Sequence, residues 1–242
     1  VQHLVAHVLG TPHNAIEVVT RRMGGGFGGK ESDSSQLACM CAIFAQLCNL
    51  PVKARLSRMD DILMTGKRHD FVADYDVGYS DDGKIQGIKI DLAARCGYSL
   101  DLSKAIVSRA LFHADNAYYI PNATFRGFLC KTNTASNTAF RGFGGPQGML
   151  AIENIIEEIA SNLGVDALTI RKINFYQKDT NNVTPYDQVV EDNIINELTS
   201  ELVEDSNYLT RREKVSKFNK QNKYLKKGLA LSPVKFGISF TT

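Results

Sequence analysis

The spacing of apolar residues along the chain predicts helices interrupted by extended segments. Apolar positions three and four residues apart predict a short helix that ends at Gly10 and a long helix that begins at Pro146 and stops at Gly164. Two further helices are predicted over residues 33–50 and 103–112. The long helix carries one apolar face, which is formed by Met149, Ile152, Ile155, Ile156, Ile159 and Leu163.

Runs rich in β-branched and aromatic residues predict strands between these helices. The dipeptide Asp82-Gly83 is typical of hairpin turns, so we expect the strands on either side of it to pair. These elements together indicate an α+β fold, in which helices pack against mixed sheets. The predicted strands cover residues 15–22, 52–58, 71–79, 84–94 and 123–132.

The composition is that of an ordinary globular protein. Of 242 residues, 43% are hydrophobic and 22% are charged, which excludes a disordered chain, and 19 Gly with 6 Pro exclude collagen. The net charge of +2 is too close to balance for a protein that binds nucleic acid or a membrane surface through its overall charge. The longest apolar stretch, residues 37–45, is too short to span a membrane.

Charge is distributed unevenly after Tyr176. Residues 181–210 contain seven acidic residues and no Lys or Arg, whereas residues 211–227 contain eight basic residues and one Glu. This pattern predicts two solvated helices with complementary charge in a connecting segment, followed by a second domain from about Gly228. A basic nucleic-acid-binding tract would contain more interleaved aromatic residues. The chain starts inside a helical pattern and ends in a strand-like one, so we expect it to be a piece of a longer polypeptide.

The cysteines and histidines do not form a metal-binding pattern. Five Cys without a CxxC pair indicate reduced thiols and a cytoplasmic protein. Cys39, Cys41 and Cys48 lie on a predicted helix and are interpreted as core thiols rather than ligands of iron–sulfur or zinc. His3 and His7 are four residues apart and could bind a metal, but without the Glu of a metalloprotease motif they are interpreted as a surface pair.

A glycine-rich loop between a predicted strand and a helix is the most informative local feature. Gly24, Gly26 and Gly29 fit the dinucleotide pattern GxGxxG, but no acidic residue ends the next predicted strand at Arg58. A phosphate-binding P-loop is rejected, because Glu31 stands where a hydroxyl must hold magnesium and its carboxylate would repel phosphates. The remaining interpretation is a loop whose backbone amides approach an anion or a metal–oxo group.

The tetrapeptide Gly-Phe-Gly-Gly occurs twice, at residues 26–29 and 142–145. Each copy precedes a predicted helix, whose N-terminus adds positive potential. A single glycine loop could be only a tight turn, but its recurrence favours a binding function. Glu31, Arg109 and Arg141 are ordinary charges by sequence alone, and Arg109 alone would most often be a solvated helix residue.

Four stretches of the chain resemble the xanthine dehydrogenase and aldehyde oxidase family of molybdenum hydroxylases. They follow the family's order. The resemblance covers essentially the whole chain, and some details are similar to the bacterial large subunit. They are RMGGGFGGKE at 22–31, similar to the molybdenum-site loop; RALFH at 109–113, similar to the substrate-arginine helix; NTAFRGFGGPQG at 137–148, similar to the second cofactor loop; and KFGISFT at 235–241, similar to the strand entering the second molybdenum domain.

The resemblance implies an enzyme that hydroxylates hypoxanthine and xanthine to urate in purine catabolism. Its cofactor would be molybdenum–molybdopterin, shared with regions outside this chain, and 2Fe-2S clusters and FAD elsewhere in the enzyme would pass electrons to NAD. The implied partners are the purine substrate, the remaining molybdenum domain, an iron–sulfur/FAD subunit or domain, and a second copy of the assembly in a homodimer. Residues 1–176 would belong to the first molybdenum-cofactor-binding domain, 177–227 to a helical connection and 228–242 to the second such domain.

The resemblance also assigns cofactor contacts. These fall at Gly26, Phe27, Gly28 and Arg141, of which Phe27 and Arg141 would lie near the molybdenum through their backbones.

It assigns substrate contacts on both sides of a flat slot. Glu31 would hydrogen-bond the purine, and Arg109 would offset negative charge that develops on the ring, so both are implied to be catalytic. Phe143 would stack on the ring face, Phe240 would meet its edge and Thr241 would bind a substrate oxygen.

Two alternatives remain open. The chain could belong to an aldehyde or other N-heterocycle hydroxylase of the same family, although related aldehyde oxidases typically lack the pair Glu31 and Arg109. It could also be a non-catalytic gene remnant. The family's glutamine-containing motif, its downstream cofactor loops and its general-base glutamate are absent from the sequence, so we expect the isolated chain to be inactive and to bind no molybdenum cofactor tightly.

Overall fold

The computed structural model describes residues 1–237, and the predicted contacts at Phe240 and Thr241 lie outside this range. Over the described range, eight α-helices and three strands form a mixed α+β structure, as predicted. The helices are α1 Gln2–Leu9, α2 Asp33–Cys48, α3 Arg58–Met64, α4 Ser103–Phe112, α5 Gly145–Leu163, α6 Ala167–Asn174, α7 Ile195–Asp205 and α8 Tyr208–Gln221. The strands are β1 Phe71–Tyr79, β2 Ile85–Gly97 and β3 Ala123–Lys131, and β2 lies between the other two.

The hairpin between β1 and β2 forms where the sequence predicts it. Gly83 adopts a left-handed φ of 88°, and its N–H donates to the Ser80 carbonyl oxygen at 2.7 Å. Asn174 of α6 holds the same turn, since its side chain donates to the Gly83 carbonyl and accepts from the Ile85 N–H. The turn is therefore fixed both by its own backbone and by a helix.

Two predicted strands are wrong. Ala15 ends a short 3-10 turn and Ile16 is extended, with φ −109° and ψ 120°, but residues 16–22 pair with no strand among residues 1–237. Residues 52–57 are irregular and Arg58 begins α3, whose first turn is capped when the Ser57 hydroxyl accepts from the Asp60 N–H at 3.1 Å. Apolar runs of this kind have β-propensity, but a strand forms only where a neighbour supplies hydrogen bonds.

The chain divides into two compact units. Unit 1 and unit 2 are each assembled from three separate stretches, so neither is a continuous segment, and the domain boundaries given above stay a prediction. Unit 1 comprises Val1–Val72, Ala93–Ser108 and Gly127–Gly144; unit 2 comprises Ala73–Leu92, Arg109–Arg126 and the chain from Gly145 onward.

Unit 2 has its core along α5. The apolar face predicted from the sequence is buried at Ile152, Ile155, Ile156 and Ile159, and α6 packs against α5. The helix ends at Gly164, which has the left-handed φ of 68° expected at such a position. The predicted pair of solvated helices is present as α7 and α8, which pack on each other.

Unit 1 has a smaller core, in which Ala94, Cys96 and Val107 pack with Phe71. The prediction of core thiols on α2 is wrong, because Cys48 is exposed and Cys39 and Cys41 are only half-buried. Apolar residues lie all round this helix, which is typical of a buried helix, but among the described residues only α1 packs substantially against it. All five cysteines are free thiols.

Candidate functional site

The first glycine loop lies in unit 1 and turns through left-handed backbone conformations. Phe27 has a φ of 51° and Gly28 a φ of 87°, and the Gly29 N–H closes the turn by donating to the Gly26 carbonyl oxygen at 3.0 Å. A left-handed conformation costs a residue with a Cβ roughly 1–2 kcal/mol. The loop therefore holds an aromatic residue in a strained backbone position.

The second glycine loop, also in unit 1, repeats this conformation. Phe143 has a φ of 49° and the following Gly144 a φ of 94°, close to the values at the first loop. The Phe143 N–H donates to the Phe140 carbonyl oxygen at 2.9 Å. The repeat noted in the sequence is thus also a repeat in backbone geometry.

The two loops lie against each other. A Cβ placed on Gly28 would lie 2.9 Å from the carbonyl carbon of Ala139 and 3.0 Å from the Phe140 nitrogen, both in the segment that leads into the second loop. Only a glycine allows two backbones to approach this closely.

A hydrogen-bonded cluster ties the two loops together at their bases. The Ser32 hydroxyl, just after the first loop, donates to the Asp101 carboxylate at 3.1 Å and lies 3.1 Å from the Thr138 hydroxyl oxygen. The Thr138 hydroxyl, just before the second loop, donates to the same carboxylate. One carboxylate therefore anchors both loops.

Arg68 supports the second loop and is not predicted from the sequence. Its guanidinium donates to the Arg141 carbonyl oxygen at 2.5 Å and lies 4.6 Å from the centre of the Phe140 ring. Burial lowers the pKa of Arg68 from its ordinary value. No motif surrounds Arg68 in the sequence, and its role depends on contacts 72 and 73 positions away.

The residues assigned to cofactor contact through their backbones have exposed side chains. Phe27 is 68% exposed, and Arg141 is exposed as well. Gly26 and Gly28, between which Phe27 lies, are half-buried. Exposed side chains on a hydrogen-bonded backbone are compatible with recognition through main-chain amides.

Arg109 is not the solvated helix residue that its sequence context alone suggests. It is only 5% exposed, its guanidinium donates to the Gly237 carbonyl oxygen at 2.7 Å and its guanidinium carbon lies 4.8 Å from the centre of the Phe236 ring. Arg109 belongs to unit 2, whereas Glu31, which is exposed, and Phe143 belong to unit 1. The shared substrate slot therefore stays a prediction.

Comparison with known proteins identifies the family. Residues 1–175 match the family model of the molybdopterin cofactor-binding domain. The chain belongs to this family. Curated relatives of this molybdopterin cofactor-binding domain include xanthine dehydrogenase of Dictyostelium discoideum and xanthine dehydrogenase/oxidase of Rattus norvegicus, each 45% identical over 240 residues. Nicotinate hydroxylase of Emericella nidulans is 42% identical over 242 residues. The alignments cover 99% or 100% of this chain but only 18% of each relative.

Solved structures give the same fold. The aldehyde oxidoreductase from Desulfovibrio gigas superposes with a TM-score of 0.73 at 26% identity, covering 89% of this chain and 23% of that chain. Carbon monoxide dehydrogenase from Oligotropha carboxidovorans superposes with a TM-score of 0.79 at 23% identity, covering 90% of this chain and 28% of that chain.

The two loops fit a cofactor that is held by backbone amides. The left-handed glycines of both loops turn peptide N–H groups in a way that suits an anionic or oxo ligand. Within residues 1–237, no three His, Cys, Asp or Glu side chains are grouped closely enough to hold a metal ion. No helix in this range combines the length and apolar content that crossing a membrane requires.

Proposed function

We propose that this chain is the part of a xanthine-oxidising molybdenum hydroxylase that supplies loops to its cofactor and its purine substrate. The close approach of the two Gly-Phe-Gly-Gly loops, in a chain of the molybdopterin cofactor-binding family, carries this proposal. The 45% identity to xanthine dehydrogenases across 99% of the chain supports xanthine or hypoxanthine as substrate and urate as product.

The glycine loops would hold the cofactor through the backbones of Gly26, Phe27, Gly28 and Arg141. When bound, the molybdenum cofactor supplies the oxygen-transfer and two-electron redox chemistry of ring hydroxylation. The backbones of Phe27 and Arg141 would lie nearest the metal, and Arg68 would keep Arg141 in place through its carbonyl. Preorganised amides need no rearrangement when charge develops, which is the basis of their effect on rate.

Glu31 and Arg109 would act on the substrate. The Glu31 carboxylate would accept a hydrogen bond from a ring N–H. Hydroxylation pushes negative charge into the heterocycle, and a fixed cation stabilises that charge most strongly in a site of low dielectric constant. Arg109 meets this condition, since it is almost fully buried and its guanidinium is hydrogen-bonded. Phe143 would stack on the ring, and Phe240 and Thr241 would complete the slot.

The remaining parts of the reaction belong to the rest of the enzyme. We propose 2Fe-2S clusters and FAD in a further subunit or domain, NAD as electron acceptor, a homodimeric assembly and a cytoplasmic location. The second molybdenum domain would begin near residue 228, after the helical connection over residues 177–227. The family's multidomain or multisubunit character supports this arrangement.

The test is a pair of substitutions in the intact enzyme. Arg109→Met should lower the rate constant for xanthine hydroxylation about 100- to 1000-fold with little change in xanthine binding, because the charge matters most in the transition state. Glu31→Val should weaken xanthine turnover while sparing aromatic aldehydes. Lys104→Met, an exposed position on the same helix as Arg109, is the matched control.

The rate constants for single-turnover reduction of the enzyme by xanthine and by an aromatic aldehyde show whether each substitution has the expected effect. If Arg109→Met keeps its xanthine rate constant within about threefold, or if Glu31→Val loses both substrates equally, the assigned roles are wrong. If the wild-type enzyme oxidises no purine, the proposed function itself is wrong.

A second candidate function is hydroxylation of another N-heterocycle. The 42% identity to a nicotinate hydroxylase, over the whole of this chain, favours it specifically. Nicotinate carries a carboxylate that the exposed Glu31 would repel, so this candidate predicts a preference for uncharged rings. Comparing kcat/KM for xanthine with that for an uncharged N-heterocycle such as quinoline in the wild-type enzyme decides between the two.

A further inference from the structure

His113 closes a ring of hydrogen bonds with Arg109 and Gly237 in unit 2. The Gly237 N–H donates to His113 Nε2 at 3.3 Å, and His113 Nδ1 lies 2.8 Å from the Arg109 carbonyl oxygen. The Arg109 guanidinium completes the ring by donating to the Gly237 carbonyl oxygen at 2.7 Å. An amide N–H only donates and a carbonyl only accepts, so the imidazole must be neutral and carry its proton on Nδ1.

Close packing fixes this ring. His113 is 4% exposed, and its imidazole lies 5.2 Å from the Phe236 ring, which also stacks against the Arg109 guanidinium. At the start of α5, a Cβ on Gly145 would lie 3.0 Å from the Phe236 ring and 3.6 Å from the imidazole. The imidazole therefore lies between Phe236 and the start of α5.

The segment that carries Gly237 is anchored independently a few residues earlier. The Asn116 side chain donates to the Pro233 carbonyl oxygen and accepts from the Lys235 N–H, both at 3.0 Å. The Lys235 ammonium donates to the buried Asp115 carboxylate, which also accepts from the Tyr176 hydroxyl at 2.6 Å. Gly237 is thus held in place, and a shift of His113 would be transmitted to Arg109 rather than absorbed by the segment.

The charges around His113 favour its neutral form. Burial lowers the pKa of His113 below its ordinary value of 6.5, and the cations Arg109 and Lys235 lower it further. The hydrogen bond to the Arg109 carbonyl and the Asp115 carboxylate act in the opposite direction without reversing the shift.

We propose that His113 is a positioning residue that fixes Arg109 for its action on the substrate. The neutral imidazole joins the Arg109 carbonyl to the Gly237 amide. The distance between the Arg109 backbone and the Gly237 carbonyl oxygen, which accepts from the Arg109 guanidinium, is thereby kept constant. This inference rests on the proposed function, in which Arg109 offsets charge on the ring.

Protonation of His113 undoes the arrangement. As the pH falls through the lowered pKa of His113, Nε2 gains a proton, the Gly237 N–H loses its acceptor and Arg109 faces a new cation. We expect the hydroxylation rate constant to fall on an acid limb that lies below pH 6.5 and that depends on His113.

Two substitutions in the intact enzyme test the inference kinetically. His113→Phe keeps the ring but loses both hydrogen bonds, and the rate constant for reduction by xanthine should fall about tenfold with KM within about twofold. His113→Gln keeps an acceptor for the Gly237 N–H that does not titrate in this range, so it should recover part of the rate and lose the acid limb. Lys104→Gln, exposed on α4, is the control.

A double-mutant cycle separates positioning from a general structural effect. If His113 acts through Arg109, adding His113→Phe to Arg109→Met should cause little further loss of rate. Equal losses with and without Arg109, or a His113→Phe enzyme at the wild-type rate, would overturn the inference.

Hydrogen exchange gives a readout that needs no catalysis. In the intact protein without its cofactor, the Gly237 amide should exchange faster in His113→Phe than in His113→Gln or wild type, after correction for intrinsic rates. Unchanged exchange would refute the hydrogen bond and with it the positioning role. Because this measurement does not depend on the substrate, failure of the proposed function and failure of this inference are distinguishable.

Discussion

The contact between the two glycine loops can be tested by a single methyl group. Gly28→Ala introduces a Cβ at 2.9 Å from the Ala139 carbonyl carbon, 3.0 Å from its oxygen and 3.0 Å from the Phe140 nitrogen. All three are backbone atoms, so no side chain can rotate away to make room. The φ of 87° at this position also strains any residue other than glycine.

The expected loss of stability in Gly28→Ala follows from these two effects. A left-handed backbone with a Cβ costs roughly 1–2 kcal/mol, and inserting an atom into a well-packed contact costs roughly 1–3 kcal/mol more. We therefore expect Gly28→Ala to destabilise the closed arrangement of the loops by about 2–5 kcal/mol, which separates them unless the surrounding structure gives way.

Gly29→Ala is the matched control. Its φ is not left-handed, and the nearest atom that a new Cβ would meet, the Gly26 carbonyl oxygen, is 3.7 Å away. The intact protein carrying either substitution is assayed for molybdenum content, cofactor retention during dialysis and its thermal unfolding midpoint. Gly28→Ala should lose cofactor and stability, and Gly29→Ala should stay close to wild type.

The result that would refute this reasoning is equal behaviour of the two variants. If both retain the cofactor, the close approach of Gly28 to the second loop is not required for binding. If both lose it to the same extent, the sensitivity belongs to the loop as a whole rather than to the contact with Ala139.

Two further substitutions test unit 2, both measured as shifts in a denaturant unfolding curve. Gly148→Ala places a Cβ 2.1 Å from the Ala110 carbonyl oxygen and should lower the free energy of unfolding by about 2–4 kcal/mol. Gly164→Ala meets no atom within 4 Å, so it should cost only backbone strain of about 1 kcal/mol. Equal effects of the two substitutions would contradict the packing of α5 against the end of α4. Arg171→Met, at a side chain 2% exposed, leaves the Glu153 carboxylate without its ion-pair partner and should destabilise by about 3 kcal/mol. A loss below about 1 kcal/mol, or no recovery on adding Glu153→Gln, would show that an unpaired Glu153 carboxylate does not cause the expected loss of stability.

Local periodicity predicts the elements whose stability is decided within the segment itself. The apolar face of α5 and the hairpin at Gly83 are encoded by residues close together in the sequence, and the structure has them where the pattern predicts. The strand predicted over residues 52–58 fails for the opposite reason. Its apolar residues are compatible with a strand, but a strand also needs a neighbouring strand to hydrogen-bond with. Whether such a neighbour is present depends on the whole fold and not on the segment itself.

The candidate site likewise contains residues that the sequence predicts and residues that it does not. The glycine spacing identifies two special loops without help from the fold. Arg68 and His113 carry no such signal, since each acts on a residue far along the chain: Arg141 for Arg68 and Gly237 for His113. His113 even lies within a stretch that resembles the family's substrate-arginine helix, yet its tautomer follows only from the donor and acceptor that the structure places at its two nitrogens.

Packing does not account for the strained backbone of Phe27. Glycine would adopt the φ of 51° at position 27 without strain, and the Phe27 side chain is 68% exposed, so burial among residues 1–237 returns little of the roughly 1–2 kcal/mol that this conformation costs. Phe143 stands in the same conformation in the second loop. Strain retained at two matching positions, beside glycines that bring the loops together, points to a requirement outside local folding. A cofactor held by the backbone of Phe27, and a substrate ring stacked on Phe143, would supply that requirement.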